Sequence, residues 1–333
     1  MRTPRQLIPL LLLTIFNLPA VAETPARWKE LARSVEEAGG TIQFTDGDPV
    51  AIDLYNGNNP LKGKGGKNMT VNDDWLKRLT GIASLRKLSL SNCDITDAGL
   101  VHVGTLSGLE ELNLTLTPVT DAGLVHLGKL THPHTLGLAS TKCAGEGFKY
   151  LRVRNLKSVN FHFTPLNDAG LAAICNVGVT GRFWFAHTRF TDAGAKHLRK
   201  LTNLRILGIG SADKESSGDA VAALVDLPLE DLSLLDHQAD PAGFAHAARI
   251  KTLKRLDAGY APKVTDAEMK LIAALPRLED FRLGNAQVTD KGLAALAHCK
   301  SLRKLTLQRL KNISDAGVAN LRKARPDLEI IAK

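Results

Sequence analysis

Several groups of residues in this sequence have types and spacings from which chemistry could be built. The first is Gly63-Lys64-Gly65-Gly66-Lys67. Glycines let backbone amides close on a phosphate and lysine adds charge, but a phosphate-cradling loop needs Gly where Leu61 stands and Ser or Thr where Asn68 stands. The segment therefore reads as a solvated loop. His132-Pro133-His134 offers a pair of imidazoles without a nearby cysteine or carboxylate, short of the ligand set of a zinc site. Cys93, Cys143, Cys175 and Cys299 are too few and too far apart for a disulfide framework or a CxxC metal site, and read as isolated buried thiols. No Gly-x-Ser-x-Gly, His-Glu-x-x-His or paired-carboxylate signature occurs. The expectation is a protein that is not an enzyme and carries no cofactor or metal.

Composition agrees with a surface that binds. Of 333 residues, 44% are hydrophobic and 23% charged, enough to bury a core and too apolar for a disordered chain. Aromatics at 5% make that core aliphatic. The net charge of +9 permits acidic partners without naming one. Cystine-dense modules, zinc fingers and polytopic membrane proteins are excluded.

The elements that must position any site repeat. Segments starting at Leu85, Leu109, Leu156, Leu204, Leu229, Leu278 and Leu302 each read Leu-x-x-apolar-x-apolar, as in Leu85-Arg-Lys-Leu88-Ser-Leu90. Weaker copies begin at Pro133, Thr180, Leu253 and Leu328, so that the step stays near 24 residues. A second motif keeps that step: Ile95-Thr-Asp-Ala-Gly-Leu100, Val119-Thr-Asp-Ala-Gly-Leu124, Leu166-Asn-Asp-Ala-Gly-Leu171, Val288-Thr-Asp-Lys-Gly-Leu293 and Ile313-Ser-Asp-Ala-Gly-Val318. Thr, Ser or Asn there suits a helix N-cap, and the following Asp suits the positive end of the helix dipole. Each unit is then a short strand, a turn and a helix, stacked as a solenoid of ten to eleven units. On that register His102, His126, His197 and His246 line up as solvated surface on the outer helical face.

These residues resemble the leucine-rich repeat, in the "LxLxxTxVTDAGLxxL" form found in many exported bacterial proteins and similar to the cysteine-containing repeats of eukaryotic F-box substrate receptors. The resemblance spans residues 72 to 331 and implies an α/β solenoid, with a curved parallel sheet on the concave face and helices on the convex face. It implies a general binding role and no ligand. This chain departs from the commoner repeat at the buried Asn position, where Thr117, Thr141, Thr164 and Thr188 stand, with Cys93 in the first unit. A hydroxyl can make part of the backbone hydrogen bonding that an Asn amide makes.

The expected organisation is a signal peptide at 1–22, an N-terminal cap with a Gly/Asn-rich loop at 23–71, and repeats over 72–333. Arg2 and Arg5 precede an apolar run from Leu7 to Phe16, and Ala20-Val21-Ala22 ends it, the order of a secretory signal cleaved before Glu23. The cleaved protein is expected to be periplasmic or secreted, not inserted in a membrane, and monomeric. In the cap, Trp28, Leu31, Val35 and Ala38 share a helix face, and two strands flank Asp46-Gly47-Asp48-Pro49. The chain is expected to stop on a strand, Leu328 to Ile331, with an exposed edge.

Strand positions facing the concave side carry near-balanced acid and base, such as Arg86, Glu110, Glu230, Asp231, Lys254, Arg255, Arg303 and Lys304. Nucleic acid needs a sustained basic stripe, which this face does not supply. Signs that change in blocks suit a protein partner of complementary charge. The candidate binding site lies mid-array, where Asn160, His162 and Phe163 stand beside Arg182, Trp184 and His187, between the small residues Gly137 and Ala139 on one side and Gly208 and Gly210 on the other. Tyr260 and Arg282 mark a second contact region toward the C-terminal units, with Arg309. The expected function is a non-enzymatic module holding a protein or peptide. The alternatives are substrate recognition for a ubiquitin ligase, which would need an F-box longer than residues 23–71 allow, and carbohydrate or cell-wall binding through exposed aromatics.

Overall fold

The computed structural model describes residues 24–54 and 68–332; the segment expected to be a signal peptide, residues 1–22, and Gly63-Lys64-Gly65-Gly66-Lys67 lie outside them. In chain order the strands are β1 (Thr41–Thr45), β2 (Asp48–Asp53), β3 (Asn68–Asn72), β4 (Lys87–Ser89), β5 (Cys93–Asp94), β6 (Glu111–Asn113), β7 (Thr135–Gly137), β8 (Leu156–Asn160), β9 (Val179–Thr188), β10 (Ile206–Ser211), β11 (Asp231–Leu234), β12 (Arg255–Ala258), β13 (Asp280–Gly284), β14 (Lys304–Gln308) and β15 (Glu329–Ala332). Thirteen form one sheet in sequence order, while β3 and β5 make a separate pair. Among the described residues only β1 and β2 run antiparallel, joined through Asp46 (φ 52°) and Gly47 (φ 80°), whose paired left-handed conformations suit a two-residue hairpin turn.

Register follows the leucines. Ile52, Leu88, Leu112, Leu136, Val159, Phe183, Leu207, Leu232, Leu256, Phe281 and Leu305 stand in one row across the sheet, all buried. A slip of one residue in any strand would turn that strand's apolar set outward, which fixes the stack. Behind the strands, several units return through 3₁₀ turns (Val125–Lys129, Glu146–Tyr150, Lys196–Lys200, Gly218–Leu224) where a full helix was expected. A 3₁₀ segment rises about 2.0 Å per residue, so a short unit crosses the same distance with fewer residues. Strands stack about 4.8 Å apart and helical segments need more room, which makes the strand face the concave one.

The Thr-Asp-Ala-Gly motif does more than cap a helix. Asp97 accepts from the backbone N–H of Thr120 in the next unit at 2.8 Å and from its hydroxyl at 2.6 Å. Asp168 holds Thr191, Asp192 holds Ser217, Asp266 holds Thr289 and Asp290 holds Ser314 in the same way. The held hydroxyl also accepts from its own helix, as Thr191 does from Ala193 at 3.2 Å. The motif glycine leaves room for the incoming carboxylate, since a Cβ on Gly123, Gly194, Gly292 or Gly317 would collide with Asp97, Asp168, Asp266 or Asp290. Where Pro241 stands in place of the Asp, the next unit has no incoming carboxylate, and Glu268 replaces both the glycine and the missing partner by closing a capping box on Thr265 at 2.8 Å.

The hydroxyls at the buried turn position behave as expected. Thr117, Thr141 and Thr164 donate to the carbonyls of Leu114, Leu138 and Phe161, and Thr188 donates to that of Gly210, at 2.6 to 2.8 Å. At the N-terminal end the helix Lys29–Glu37 buries Leu31 and Val35, while the Trp28 indole donates to Asp48. At the other end β15 pairs with β14 alone, and Arg325, only 4% exposed, donates to the carbonyls of Cys299 and Leu302 while pairing with Asp327.

Candidate functional site

Where the strands leave the sheet, eight of the turns hold one residue in a left-handed conformation, Asn92, Leu116, Ser140, Phe163, His187, Asp236, Asn285 and Arg309, with φ between 49° and 63°, while the turns after β10 and β12 hold none. Asn tolerates this region; a bulky side chain there costs roughly 1–2 kcal/mol. Two of these side chains stand out over the rim of the concave face, Leu116 46% and Phe163 56% exposed, whereas that of Asp236 is 11% exposed.

Phe163 and His187 are successive members of that column and stack at 4.3 Å with 16° between their rings. His162 meets both edge-on, at 4.9 and 5.7 Å. Asp236 anchors the cluster from two strands away: its Oδ1 lies 2.9 Å from His187 Nδ1, and its Oδ2 accepts the His187 backbone N–H at 2.6 Å. The reach across β10 is open because a Cβ on Gly210 would lie 2.6 Å from that Oδ2. Burial pushes the His162 imidazole below its ordinary value and nearby His187 adds to the effect, with Asp236 opposing.

Beside this cluster the loops after β9 to β12 enclose a groove of about 660 Å³, bounded by His187, Lys214, Leu235, Asp236, His237, Tyr260, Pro262 and Lys263. Tyr260 is 63% exposed at its edge. A second hollow, of about 580 Å³, lies over the N-terminal concave strands and is lined mainly by polar residues such as Ser89, Asn113, Thr135 and Asn160.

The structure thus brings His162, Phe163 and His187 together, with Tyr260 across the groove, and pairs Asn160 with Trp184 on the neighbouring strand, while Arg182 and Arg282 lie elsewhere on the sheet. Asn160 braces the turn by accepting the His162 backbone N–H at 3.0 Å. Trp184 lies over Gly208 on β10, where any Cβ would meet the indole, so the ring fills the space beside that glycine. Arg182 sits near the start of β9, in the row of Asp231. The Arg282 guanidinium is held between Asp257 at 3.4 Å and Gln308 at 2.8 Å. Sequence reasoning missed the role of Asp236 and the groove it borders. The available signal was the lengthened connection Ser211–Ser217, which widens the spacing of the rim loops.

The concave charges pair with one another from strand to strand. Lys87 meets Glu111 at 2.9 Å, Lys254 meets Glu230 at 2.7 Å, and Arg255 lies within 3.6 Å of Asp231, Asp257 and Asp280. Burial raises the Asp231 carboxyl against the pull of Arg255, and Asp231 Oδ1 and Arg282 Nε are buried without a hydrogen-bond partner. All four cysteines are free and buried, and burial pushes the Cys143 and Cys175 thiols up to about 12. Among the described residues no group of three or more His, Cys, Asp or Glu could hold a metal ion, and no helix is long and apolar enough to cross a membrane.

Stacked strand–turn–helix units with one apolar row per strand define the class, and comparisons with known proteins agree. The leucine-rich repeat family model matches residues 82–103. No curated protein matches the chain. The chain is similar to the solved structure of a TLR13–ssRNA13 complex, at 19% identity and a TM-score of 0.54 over 78% of this chain and 40% of that one. It is also similar to an internalin (InlF) from Listeria monocytogenes, at 14% identity and a TM-score of 0.50 over 92% and 94% of the two chains. This chain thus spans less than half the length of the TLR13 chain. The fold is an α/β leucine-rich-repeat solenoid.

Proposed function

We propose that the protein is an exported, non-enzymatic interaction module of the bacterial Thr-Asp-Ala-Gly-Leu repeat type. It holds a protein or peptide partner at the rim of its concave face, where β9 to β12 end. The observation that carries this reading is the exposed Phe163–His187 stack, braced by Asp236 and facing Tyr260 across a groove of about 660 Å³. Exposed aromatics fixed in one orientation lose little freedom on binding and make effective anchors, and a volume of this size accepts several side chains. The floor of the sheet is less available, because its charged groups already neutralise their neighbours. That pairing also argues against a polyanionic nucleic acid, which would have to compete with every internal carboxylate. Export rests on the order of Arg2, Arg5, the apolar run and Ala20-Val21-Ala22.

The experiment is crosslinking of the native protein in its own cell envelope, comparing wild type with the Phe163→Ala/Tyr260→Ala double variant. Both side chains are exposed, so the variant is expected to melt with the wild type while its crosslinked partner falls at least tenfold, and the recovered protein is expected to begin at Glu23. Undiminished capture by a folded double variant would end this assignment of the site, and recovery of a soluble protein still carrying Met1 would end the export reading.

A further inference from the structure

We infer that the rim groove takes an acidic peptide segment with an apolar side chain between its carboxylates; this rests on the docking reading above and names the ligand's chemistry. Its basis is an imbalance of charge at one place. The basic residues of the concave sheet include many already paired, among them Lys87, Lys254, Arg255 and Arg282. Lys214 and Lys263, which border the groove, have no hydrogen bond or ion pair and are exposed.

The carboxylates of the same groove are committed inward. Asp236 is held by His187, and Asp240 accepts from the backbone N–H groups of Gly243 at 2.9 Å and Gly218 at 3.4 Å. Asp213 and Glu215, the sequence neighbours of Lys214, line the adjoining hollow, which Lys214 and Arg189 also border, and do not line the groove. The groove therefore offers two unmatched cations and no unmatched anion, which favours a ligand carrying negative charge.

Its remaining surface selects a peptide. Lys214 follows β10 and Lys263 follows β12, so two strand spacings of about 4.8 Å separate their loops, roughly 10 Å in all. An extended chain advances about 3.3 Å per residue and only alternate side chains share a face, so carboxylates four positions apart flank one apolar side chain on the same face and stand about 13 Å apart, a span that the flexible lysine stems can meet. Between the lysines stand Leu235, Pro262 and the exposed Tyr260 ring, which suit an apolar side chain. His237 Nδ1 faces the carbonyls of Asp213 at 3.0 Å and Ser216 at 3.2 Å, both acceptors, so it carries the proton. In the neutral ring Nε2 is then left to accept a peptide N–H.

The test uses the purified full chain and a fluorescein-labelled peptide, Gly-Ser-Asp-Gly-Phe-Gly-Glu-Ser-Gly, whose Asp, Phe and Glu share one face when extended, read by fluorescence anisotropy. Lys214→Glu and Lys263→Glu are each expected to weaken binding about tenfold, and Tyr260→Ala to weaken it comparably. Lys311→Glu, the same charge change on an exposed lysine outside the groove, is expected to leave it unchanged. Replacing both peptide acids with lysine should abolish binding. Failure of the wild type to bind the acidic peptide below about 1 mM overturns the inference, as does equal binding by the Lys214→Glu/Lys263→Glu variant. Tighter binding of tetragalacturonate with the same lysine dependence overturns it in favour of an anionic glycan. Should envelope capture be lost with Phe163→Ala/Tyr260→Ala yet survive both lysine reversals, the docking site stands and the acidic-peptide inference falls.

Discussion

The link from Asp168 to Thr191 can be taken apart quantitatively. Asp168→Ala removes two carboxylate hydrogen bonds of 2.7 Å each, to the Thr191 N–H and to its hydroxyl. Bonds to a charged group contribute about 1.5–3 kcal/mol each when sheltered, and both residues here are half-buried, so the lower part of that range applies. Loss of both, with the Thr191 N–H left partly shielded from water, is expected to destabilise the protein by about 2–4 kcal/mol. Thr191→Val keeps the backbone bond but deletes the hydroxyl that caps Ala193, and is expected to cost about 1–2 kcal/mol. Because both substitutions remove the same hydroxyl–carboxylate bond, the double variant should be less damaged than the sum by about 1 kcal/mol. Urea unfolding followed by circular dichroism gives the three energies, and hydrogen exchange should place the loss of protection in the peptides around 188–200. An Asp168→Ala variant within about 0.5 kcal/mol of wild type, or a double variant that is strictly additive, would refute the assignment of this contact as a clamp between units.

Two further outcomes are expected. Native protein at pH 8 should leave its thiols unmodified by a disulfide reagent, because all four are buried and those of Cys143 and Cys175 are pushed up to about 12; four should react after denaturation without reductant, and a count of two would mean that the register of the units is wrong. In the C-terminal units the Arg325 hydrogen bond pulls Asp327 from 3.8 down to about 2, the bonds from Ser314 hold Asp290 low, and the bonds from Thr289 and Gly292 hold Asp266 low against its burial. These folded-state values lie below those of the unfolded chain, so the stabilisation is complete above about pH 4 and is lost as pH falls toward 2; exchange protection of residues 290–332 should follow that course, and loss centred above pH 5 would contradict it.

The solenoid was legible because its signal is repeated: a buried apolar row at a near-constant step leaves only one register in which every strand buries its leucines. The helix caps were legible for the same reason. The partner of each Asp was not, because the residue it holds lies a full unit away and a local dipole already accounts for an acid at that position. Exposed Phe163 and His187 were placed together from strand spacing alone, while Trp184 looked equally available. Its ring lies over Gly208, and no local pattern reveals which neighbour an indole will cover. The groove itself depends on the lengths of four successive loops, which periodicity does not constrain.

The carboxylate links also have a direction. Each such Asp holds the cap of the unit that follows, so those units are latched by their predecessors, and the array resembles a chain of one-way fasteners. Glu146 makes only a 3.4 Å contact to Asn167 where one fastener belongs, and two in succession are missing where Gly218 and Pro241 stand. That double gap divides the solenoid into two latched runs meeting at the units that carry Lys214, Asp236 and Tyr260. A different tie crosses that gap: buried Gln238 accepts the Ser211 N–H at 2.8 Å and donates to the Ser216 hydroxyl at 2.6 Å and the Ser217 carbonyl at 3.1 Å, so under the rim groove one glutamine joins units that elsewhere are joined by aspartates. A ligand spanning Lys214 to Lys263 would lie across the stretch where the tie between units changes from aspartate to glutamine.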